Sequence, residues 1–217
     1  MTRVPTLISA FAVLAVYATD IRAGGVLDQS HDVAPTRPVS AVVINDFFAH
    51  GQVVTPGLTG RLSRVDLGVY KYSSTTRPLI VDIVPVMAAE PVFQESLRLA
   101  RRLIDNALIP LTTGLPAFGL SVDFLADAIP VVEGEPCAIV LRGSAELGRG
   151  FGWWASSQPG DEYPGGDLYY SSGGAVERRL VDSQFRTFVL VPEPATFALA
   201  GSSLLVLSLI RRVRPRR

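Results

Sequence analysis

The residues best suited to ligand chemistry lie in a glycine-rich stretch that also carries six aromatic side chains. Residues 148–174 hold eight glycines together with Phe151, Trp153, Trp154, Tyr163, Tyr169 and Tyr170. Aromatic rings on loops can stack on sugar faces, because they combine apolar area with polar edges. Trp154, Tyr169 and Tyr170 are therefore a candidate ligand platform. The alternative is structural: adjacent tryptophans on a strand point to opposite faces, so Trp153 or Trp154 closes a core and the tyrosines line its rim.

Three acidic residues in the same region are a weak candidate for a calcium site. Asp161, Glu162 and Asp167 supply carboxylates, and Ca²⁺ takes carboxylate and backbone carbonyl oxygens as ligands. Their spacing matches no known calcium-loop motif, so a solvated acidic turn is the simpler interpretation. We accordingly expect no metal and no other cofactor, with Ca²⁺ at these residues as the alternative.

The remaining residue types offer little for catalysis. Two carboxylate pairs lie close in sequence, Asp123 with Asp127 and Glu133 with Glu135. Nothing in the sequence brings either pair across a sugar at the separation that glycoside hydrolysis needs. His31 and His50 are the only histidines, so a three-histidine metal site is impossible and a serine triad would have to use His50. Nucleophile-elbow, phosphate-loop and dinucleotide motifs are missing from the sequence. We therefore expect no catalytic residues and no enzymatic activity.

The single cysteine and the charge balance argue against a cysteine nucleophile and against nucleic-acid binding. Cys137 cannot form an internal disulfide, and it shares an alternating face with Ile139 and Leu141, so we expect a small buried apolar residue rather than a nucleophile. Lys plus Arg equals Asp plus Glu at 20 each, but five arginines lie in the last seven residues. The rest is mildly acidic and has no general attraction for phosphate backbones, which argues against nucleic-acid binding.

The elements that must position these residues have the pattern of one all-β domain. From about Asn45 onward, short apolar runs are separated by Gly, Pro, Ser and Asp at fairly even spacing. In Arg61–Tyr70, the side chains of Val65, Leu67 and Val69 share one face of a half-buried strand. Further strands are predicted at Ala49–Thr55, Pro78–Val86, Phe118–Phe124, Pro136–Arg142, Gly150–Ala155, Asp167–Ser171 and Gln184–Leu190. Eight strands fit two packed sheets.

The stretch Pro91–Pro110 fits both a helix and a strand. Its apolar residues recur at helical spacing, at Phe93, Leu97, Ala100, Ile104 and Leu108. Leu97, Leu99 and Arg101 also alternate, as in a strand. Periodicity alone favours a short helix.

The N-terminal segment has the pattern of a removable secretion signal. It carries a charge at Arg3, an apolar stretch from Leu7 to Ala18 and then small residues. The apolar run is well under the roughly 20 residues of a membrane span, so an uncleaved anchor helix is the less favoured alternative. We expect export through the secretion translocon, with cleavage after Ala18 or Ala23.

The C-terminal segment combines a proline-flanked glutamate, a short apolar run and a basic end. Pro192, Glu193 and Pro194 precede the apolar run from Phe197 to Ile210. A basic stop-transfer tail follows, with Arg211, Arg212, Arg214, Arg216 and Arg217. At about 1.5 Å per residue the run reaches only about 21 Å, short of a ~30 Å hydrocarbon core. Arginines prefer the cytoplasmic side, so we expect transient inner-membrane insertion with the Pro-Glu-Pro motif outside.

This order of parts resembles the PEP-CTERM sorting signal. In that family a membrane transpeptidase, the exosortase, recognises the Pro-Glu-Pro motif, here Pro192, Glu193 and Pro194. The resemblance implies an exosortase as partner. It also implies a precursor in the inner membrane and a product at the cell-envelope surface or in the extracellular matrix. A plain linker before a permanent anchor is the alternative.

The middle of the chain resembles a β-sandwich domain common in proteins with this sorting tail. The matching pieces, in order, are Thr59-Gly60 before Arg61–Tyr70, Val81-Asp82-Ile83, Ser121-Val122-Asp123-Phe124, Val131–Glu135 before Ala138–Leu141, Gly152-Trp153, Pro164-Gly165-Gly166 and Phe185-Arg186-Thr187-Phe188. The resemblance implies a strand and a loop at Pro91–Pro110, where periodicity favours a helix.

The predicted fold is all-β: a jelly-roll-like β-sandwich flanked by an N-terminal signal helix and a C-terminal short membrane helix. The predicted boundaries are a signal peptide at 1–23, a flexible segment at 24–44, the sandwich at 45–190 and the sorting signal at 191–217. We expect an exported, exosortase-sorted surface or matrix protein with a non-enzymatic structural or interaction domain and extracellular polysaccharide as a candidate partner. The alternative is a carbohydrate-binding module that uses the aromatic platform in 151–170. A hydrolase is the third and least favoured possibility.

Overall fold

The chain folds as an all-β protein, which confirms the predicted class, and the strands of its described residues all pair antiparallel. The computed structural model describes residues 25–33, 39–72, 75–111, 118–143, 150–156 and 163–192. Both predicted terminal helices lie outside these residues. The helices that are described are short 3-10 turns, at Glu95–Leu97, Asn106–Leu108 and Leu125–Asp127. None of the described helices has the length and apolar character needed to cross a membrane.

Fifteen strands occur over the described residues. They are β1 (Val26–His31), β2 (Val39–Ile44), β3 (Ala49–Val54), β4 (Gly60–Leu67), β5 (Val69–Lys71), β6 (Leu79–Met87), β7 (Glu90–Pro91), β8 (Ala100–Ile104), β9 (Leu120–Asp123), β10 (Pro130–Val131), β11 (Cys137–Gly143), β12 (Phe151–Ser156), β13 (Leu168–Ser172), β14 (Ala175–Arg179) and β15 (Phe185–Leu190).

The strands form three sheets that enclose one main core. The first sheet has the order β1-β15-β4-β10, with β9 also paired to β4. The second has the order β14-β13-β3-β11-β6-β7, with β8 also paired to β6, and the third has the order β2-β12-β5. Leu67 from the first sheet, Ile83 from the second and Trp153 from the third are fully buried in the same cluster. Burial of each such side chain stabilises the fold by about 1.5–3 kcal/mol.

The second sheet also carries a smaller apolar cluster on its other face. Val53, Val84, Ala138, Val140 and Tyr169 form this cluster, and Phe93 packs against it. Because both faces of these central strands are buried, their sequences read as continuous apolar runs rather than as strict alternation.

A buried carboxylate ties this second sheet to the segment that precedes β8. The Asp82 side chain is fully buried and accepts two hydrogen bonds from Arg101, at 2.7 and 2.8 Å. It also accepts one from Arg142 at 3.0 Å. Arg101 reaches Glu95, whose oxygen lies 3.2 Å away, and Arg142 donates to the Phe93 carbonyl at 2.5 Å. The network therefore fixes the residues between β7 and β8 against the sheet.

The eight predicted strands are all present, and the helix at Pro91–Pro110 is wrong. Residue Gly68 divides the predicted strand Arg61–Tyr70 into β4 and β5. Pro91–Pro110 contains β8 between two 3-10 turns, as the resemblance implied. Because β8 lies at a sheet edge, Leu97, Leu99, Leu103 and Leu108 remain exposed. Of the five residues at helical spacing, only Ala100 is buried, so that spacing does not mark the buried face of a helix.

The segment 24–44 contains two strands instead of the predicted flexible chain. β1 pairs with β15, and β2 pairs with β12. Asp32, just after β1, also forms an ion pair with Arg186 at 2.6 Å. Edge strands are held mainly by backbone hydrogen bonds, so the half-exposed β1 needs no regular apolar face.

Candidate functional site

A groove with a volume of about 680 Å³ lies beside β2. Its lining includes residues 41–43 of β2 and residues 178–181, at and after the end of β14. Phe48 and His50 also line it. It therefore combines backbone, aromatic, imidazole and guanidinium groups, which makes it the candidate functional site of the described residues.

The turn between β2 and β3 positions Phe48 and His50. The Asn45 side chain accepts hydrogen bonds from the amides of Phe47 and Phe48, at 2.9 and 3.0 Å. The Asn45 amide in turn donates to the Phe48 carbonyl at 3.3 Å. This Asx turn reverses the chain, and so brings the start of β3 next to the end of β2.

His50 is a buried, neutral side chain at the groove. It is 4% exposed, and its Nε2 lies 3.1 Å from the Val43 carbonyl oxygen. A carbonyl can only accept, so Nε2 carries the proton and Nδ1 is an acceptor. Burial, with a smaller contribution from the nearby Arg179 cation, lowers the pKa of His50 to about 4. Among the described residues, Nδ1 has no hydrogen-bond partner.

The β13–β14 hairpin brings a cation next to these aromatic side chains. Its turn uses Gly173 and Gly174 at φ +59° and +93°, a conformation that favours glycine. The Arg179 guanidinium lies 4.0 Å from the ring centroid of Tyr170. The Tyr170 ring is in turn 6.2 Å from the ring of His50 and 6.4 Å from the ring of Phe48.

The three rings of the predicted platform are not brought together. Trp154 is 9% exposed and its ring stacks on Tyr70, with centroids 4.6 Å apart. Tyr169 is 6% exposed and belongs to the smaller apolar cluster of the second sheet. Tyr170 alone of the three lies near the groove residues Phe48 and His50. These three side chains therefore do not form one surface on which a sugar could stack.

The tryptophan pair behaves as the structural interpretation expects. Trp153 is fully buried in the main core, and its Nε1 donates to the Gln184 carbonyl at 2.8 Å. Trp154 points to the opposite face and stacks on Tyr70. Gly152 leaves room for the Tyr70 ring, because a Cβ at position 152 would lie 2.3 Å from Tyr70 Cζ.

The predicted calcium ligands are only partly described. Asp167 forms an ion pair with Arg178 at 2.5 Å, so its charge is already engaged. Asp161 and Glu162 lie outside the described residues. Over the described part of the chain, no group of three or more Asp, Glu, His or Cys side chains could hold a metal ion.

The sequence-adjacent carboxylates have structural partners or are exposed. Asp123 Oδ1 accepts the Leu125 amide at 2.7 Å, and Asp127 forms an ion pair with Arg102. Glu133 and Glu135 are exposed in the turn before β11. None of these contacts resembles an acid–base pair facing a cleft.

The thiol of Cys137 is strongly disfavoured as a nucleophile. The residue is half-buried at the start of β11, opposite Val54 and Pro85. Desolvation of the thiol raises its pKa to about 12, so the reactive thiolate is scarce at neutral pH.

The last described strand ends next to the predicted sorting motif. β15 ends at Leu190, and Val191 and Pro192 are exposed. Glu193, Pro194, the apolar run 197–210 and all five tail arginines lie outside the described residues. The start of the described chain is close by, because Val26 in β1 pairs with Val189 in β15.

Sequence reasoning missed Phe48 and Arg179 as site residues, and it considered His50 only for a catalytic triad. The Gly-Gly pair at 173–174 is a hairpin signal that could have placed Arg179 near Tyr170. No local signal links Phe48 or His50 to that hairpin, because their approach depends on sheet packing. Comparison with models of known families and with curated proteins finds no match for this chain.

Proposed function

We propose that the chain is the precursor of an exported cell-surface or extracellular-matrix protein that an exosortase sorts. Its domain is a jelly-roll-like β-sandwich with a structural or interaction role and no enzymatic activity. Extracellular polysaccharide is a candidate partner. The precursor stays in the inner membrane until the sorting signal is processed.

The order of the C-terminal parts carries this proposal. A Pro-Glu-Pro motif, a short apolar run and an arginine-rich end follow one another in the sequence after β15. Prolines on both sides of Glu193 disfavour a helix and favour an extended peptide, the form that a protease groove binds. Residues 191–196 span at most about 20 Å when fully extended, so the motif remains close to the membrane while the apolar run is inserted.

The position of the two chain ends supports the same processing route. β1 begins at Val26, close to the predicted cleavage site after Ala23, and it pairs with β15. The two signals are therefore attached at the same end of one strand pair. A domain built this way can fold outside the membrane while it is still tethered by either end.

The packing supports a sandwich with a binding or structural role. Side chains from all three sheets meet in one core, as expected for sheets packed face to face. Trp154 and Tyr169, which the carbohydrate-module alternative requires on one platform, are buried at separate sites. The candidate carboxylates of the hydrolase alternative are bonded to neighbours or exposed in a turn. Neither alternative gains support from these residues.

Replacement of Glu193 tests the proposal directly. In a host that contains the exosortase, the wild-type chain should lose the segment after the motif and move outward. Glu193→Gln keeps the size and polarity of the side chain but removes its charge, so the uncut precursor should accumulate in the inner membrane. Glu133→Gln, which changes an exposed glutamate of the folded part, should be processed like the wild type.

Two outcomes would contradict this scheme in different ways. Equal processing of wild type and Glu193→Gln would mean that recognition does not involve this carboxylate. A wild-type chain that stays full length would mean that the tail is a permanent anchor. Immunoblotting of membrane and extracellular fractions, with an epitope placed after Arg217, separates these cases.

A further inference from the structure

A second groove, with a volume of about 680 Å³, lies over the smaller apolar cluster of the second sheet. Phe93 and Val176 line this groove and also pack against that cluster. Arg142 and Ser171 line it too, and both also line a smaller pocket of about 270 Å³. A volume of this size is within the range of about 300–1,000 Å³ that is typical of small-ligand sites.

Hydrogen bonds and close packing hold the segment after β7 against the sheet. The Val92 amide donates to the Pro85 carbonyl at 3.0 Å, and Arg142 donates to the Phe93 carbonyl at 2.5 Å. Gly51 allows this close approach, because a Cβ at position 51 would lie 3.2 Å from Phe93 Cζ. The groove is therefore formed before a ligand binds, which lowers the entropy cost of binding.

A tight turn between β6 and β7 positions two further lining residues. Met87 pairs with Glu90, so Ala88 and Ala89 form a two-residue loop. Both alanines have positive φ, +52° and +68°, as in a type I′ turn, which favours Asn and Gly. Alanine is strained in this region, and strain of this kind is concentrated at functional sites such as ligand clamps. The turn leaves Met87 and Glu90 exposed at the groove.

Three polar side chains that line the groove have no hydrogen-bond or ion-pair partner in the part of the chain that the structure describes. They are the Glu90 carboxylate, the Gln94 amide and the Ser171 hydroxyl. A carboxylate only accepts hydrogen bonds, whereas an amide and a hydroxyl both donate and accept. A ligand with several hydroxyl groups can satisfy all three, because each of its hydroxyls is both a donor and an acceptor.

The charges at the groove favour a neutral ligand over an anionic one. Among the described residues that line it, Arg142 is the one cation, and its charge is already engaged by Asp82 at 3.0 Å. Glu90 has no such counter-charge, so it would repel a carboxylate of the ligand. The Phe93 ring and the exposed Leu97 add apolar surface, which suits the C–H face of a sugar ring.

We propose that this second groove binds a short stretch of a neutral polysaccharide. Sugar hydroxyls bond to Glu90, Gln94 and Ser171, while sugar ring faces pack on Phe93 and Leu97. This assignment rests on the proposed function, because it gives a site to the polysaccharide partner of an exported chain.

Glycan binding to the purified full chain tests the proposal. The detergent is lauryldimethylamine oxide, because a maltoside headgroup would itself compete for a sugar site. The probes are fluorescein-labelled tetrasaccharides of glucose, mannose, galactose and N-acetylglucosamine, followed by fluorescence anisotropy. We expect at least one of them to bind with a dissociation constant below about 1 mM. Labelled tetragalacturonate, which is anionic, should bind about tenfold or more weakly than the best neutral probe.

Three variants and a control locate the site. Gln94→Ala and Ser171→Ala each remove one bonding group, so each should weaken binding by about threefold or more. Glu90→Gln removes the repelling charge, so it should reduce the discrimination against tetragalacturonate. Glu133→Gln, which changes an exposed glutamate outside the groove, should leave both properties unchanged. Gln94 is exposed, so its variant tests binding without disturbing the core.

Several results would overturn the proposal. One is that no neutral probe binds below about 1 mM, and another is unchanged affinity in both Gln94→Ala and Ser171→Ala. Loss of binding in Arg179→Gln alone would place the glycan in the groove beside β2 instead. Displacement of the probe by an octapeptide of alternating valine and threonine, at a lower concentration than by the unlabelled glycan, would make a protein segment the occupant.

Failure of this proposal can be told apart from failure of the proposed function. Processing at Glu193 plays no part in glycan binding by the purified chain. A chain that is sorted but binds no glycan would overturn only the site, whereas a chain that binds glycan but is never processed would overturn only the sorting.

Discussion

Asp82→Asn should strongly destabilise the fold, because it removes the one carboxylate that two arginines share. Asp82 is fully buried, whereas the side chains of Arg101 and Arg142 are 21% and 17% exposed. Removal of one partner from a buried ion pair costs about 3–5 kcal/mol. Here Arg101 retains Glu95 and both arginines can reach water, so we expect about 2–3 kcal/mol.

Urea unfolding measures this cost, with the fluorescence of the buried Trp153 and Trp154 as the signal. For a slope of about 2 kcal/mol/M, the midpoint should fall by about 1–1.5 M. Glu95→Gln is the matched control, because the Glu95 side chain is 60% exposed and touches the same Arg101. It should cost under about 1 kcal/mol. An Asp82→Asn midpoint equal to wild type, or a Glu95→Gln loss just as large, would refute the reasoning.

Three further predictions concern single residues. The folded state lowers the pKa of His50 from 6.5 to about 4, so the unfolded chain binds the proton first and stability should fall by about 2.5 kcal/mol between pH 7.5 and 4.5. In His50→Gln, the urea midpoint should therefore fall less between pH 7.5 and 4.5 than in the wild type. An equal fall in both proteins would contradict this prediction. Gly152→Ala should cost about 1–3 kcal/mol by thermal unfolding, because its Cβ would meet Tyr70 at 2.3 Å, and an unchanged melting temperature would show that the ring moves freely. Cys137 should react with a thiol reagent far more slowly in the native chain than in urea, and equal rates would exclude a desolvated thiol.

The sequence predicted the strands with apolar runs that enter the core and missed those held by pairing alone. β4 buries Val65 and Leu67 on one face, and β11 is a continuous apolar run, so hydropathy locates both. β14 is mostly exposed and is held by its pairing with β13, which the hydropathy of the sequence does not reveal. At Pro91–Pro110 the leucines are exposed at a sheet edge, and apolar spacing there predicted a helix that does not form.

The candidate groove was beyond sequence reasoning, because its residues come from distant parts of the chain. His50 and Tyr170 meet only because β3 pairs with β13, and Arg179 joins them through the β13–β14 hairpin. The predicted aromatic platform failed for a related reason. Trp154 and Tyr169 belong to different sheets, so their shared glycine-rich context gives no information about distance.

The most direct test of the proposed function is the intact mass of the protein from a host that contains the exosortase. The precursor has a mass of 23.3 kDa. We predict a mature chain that begins near Thr19 or Gly24 and lacks Arg211–Arg217, recovered outside the inner membrane. A full-length chain with Met1 and Arg217 still attached would contradict the export and sorting proposed for this protein.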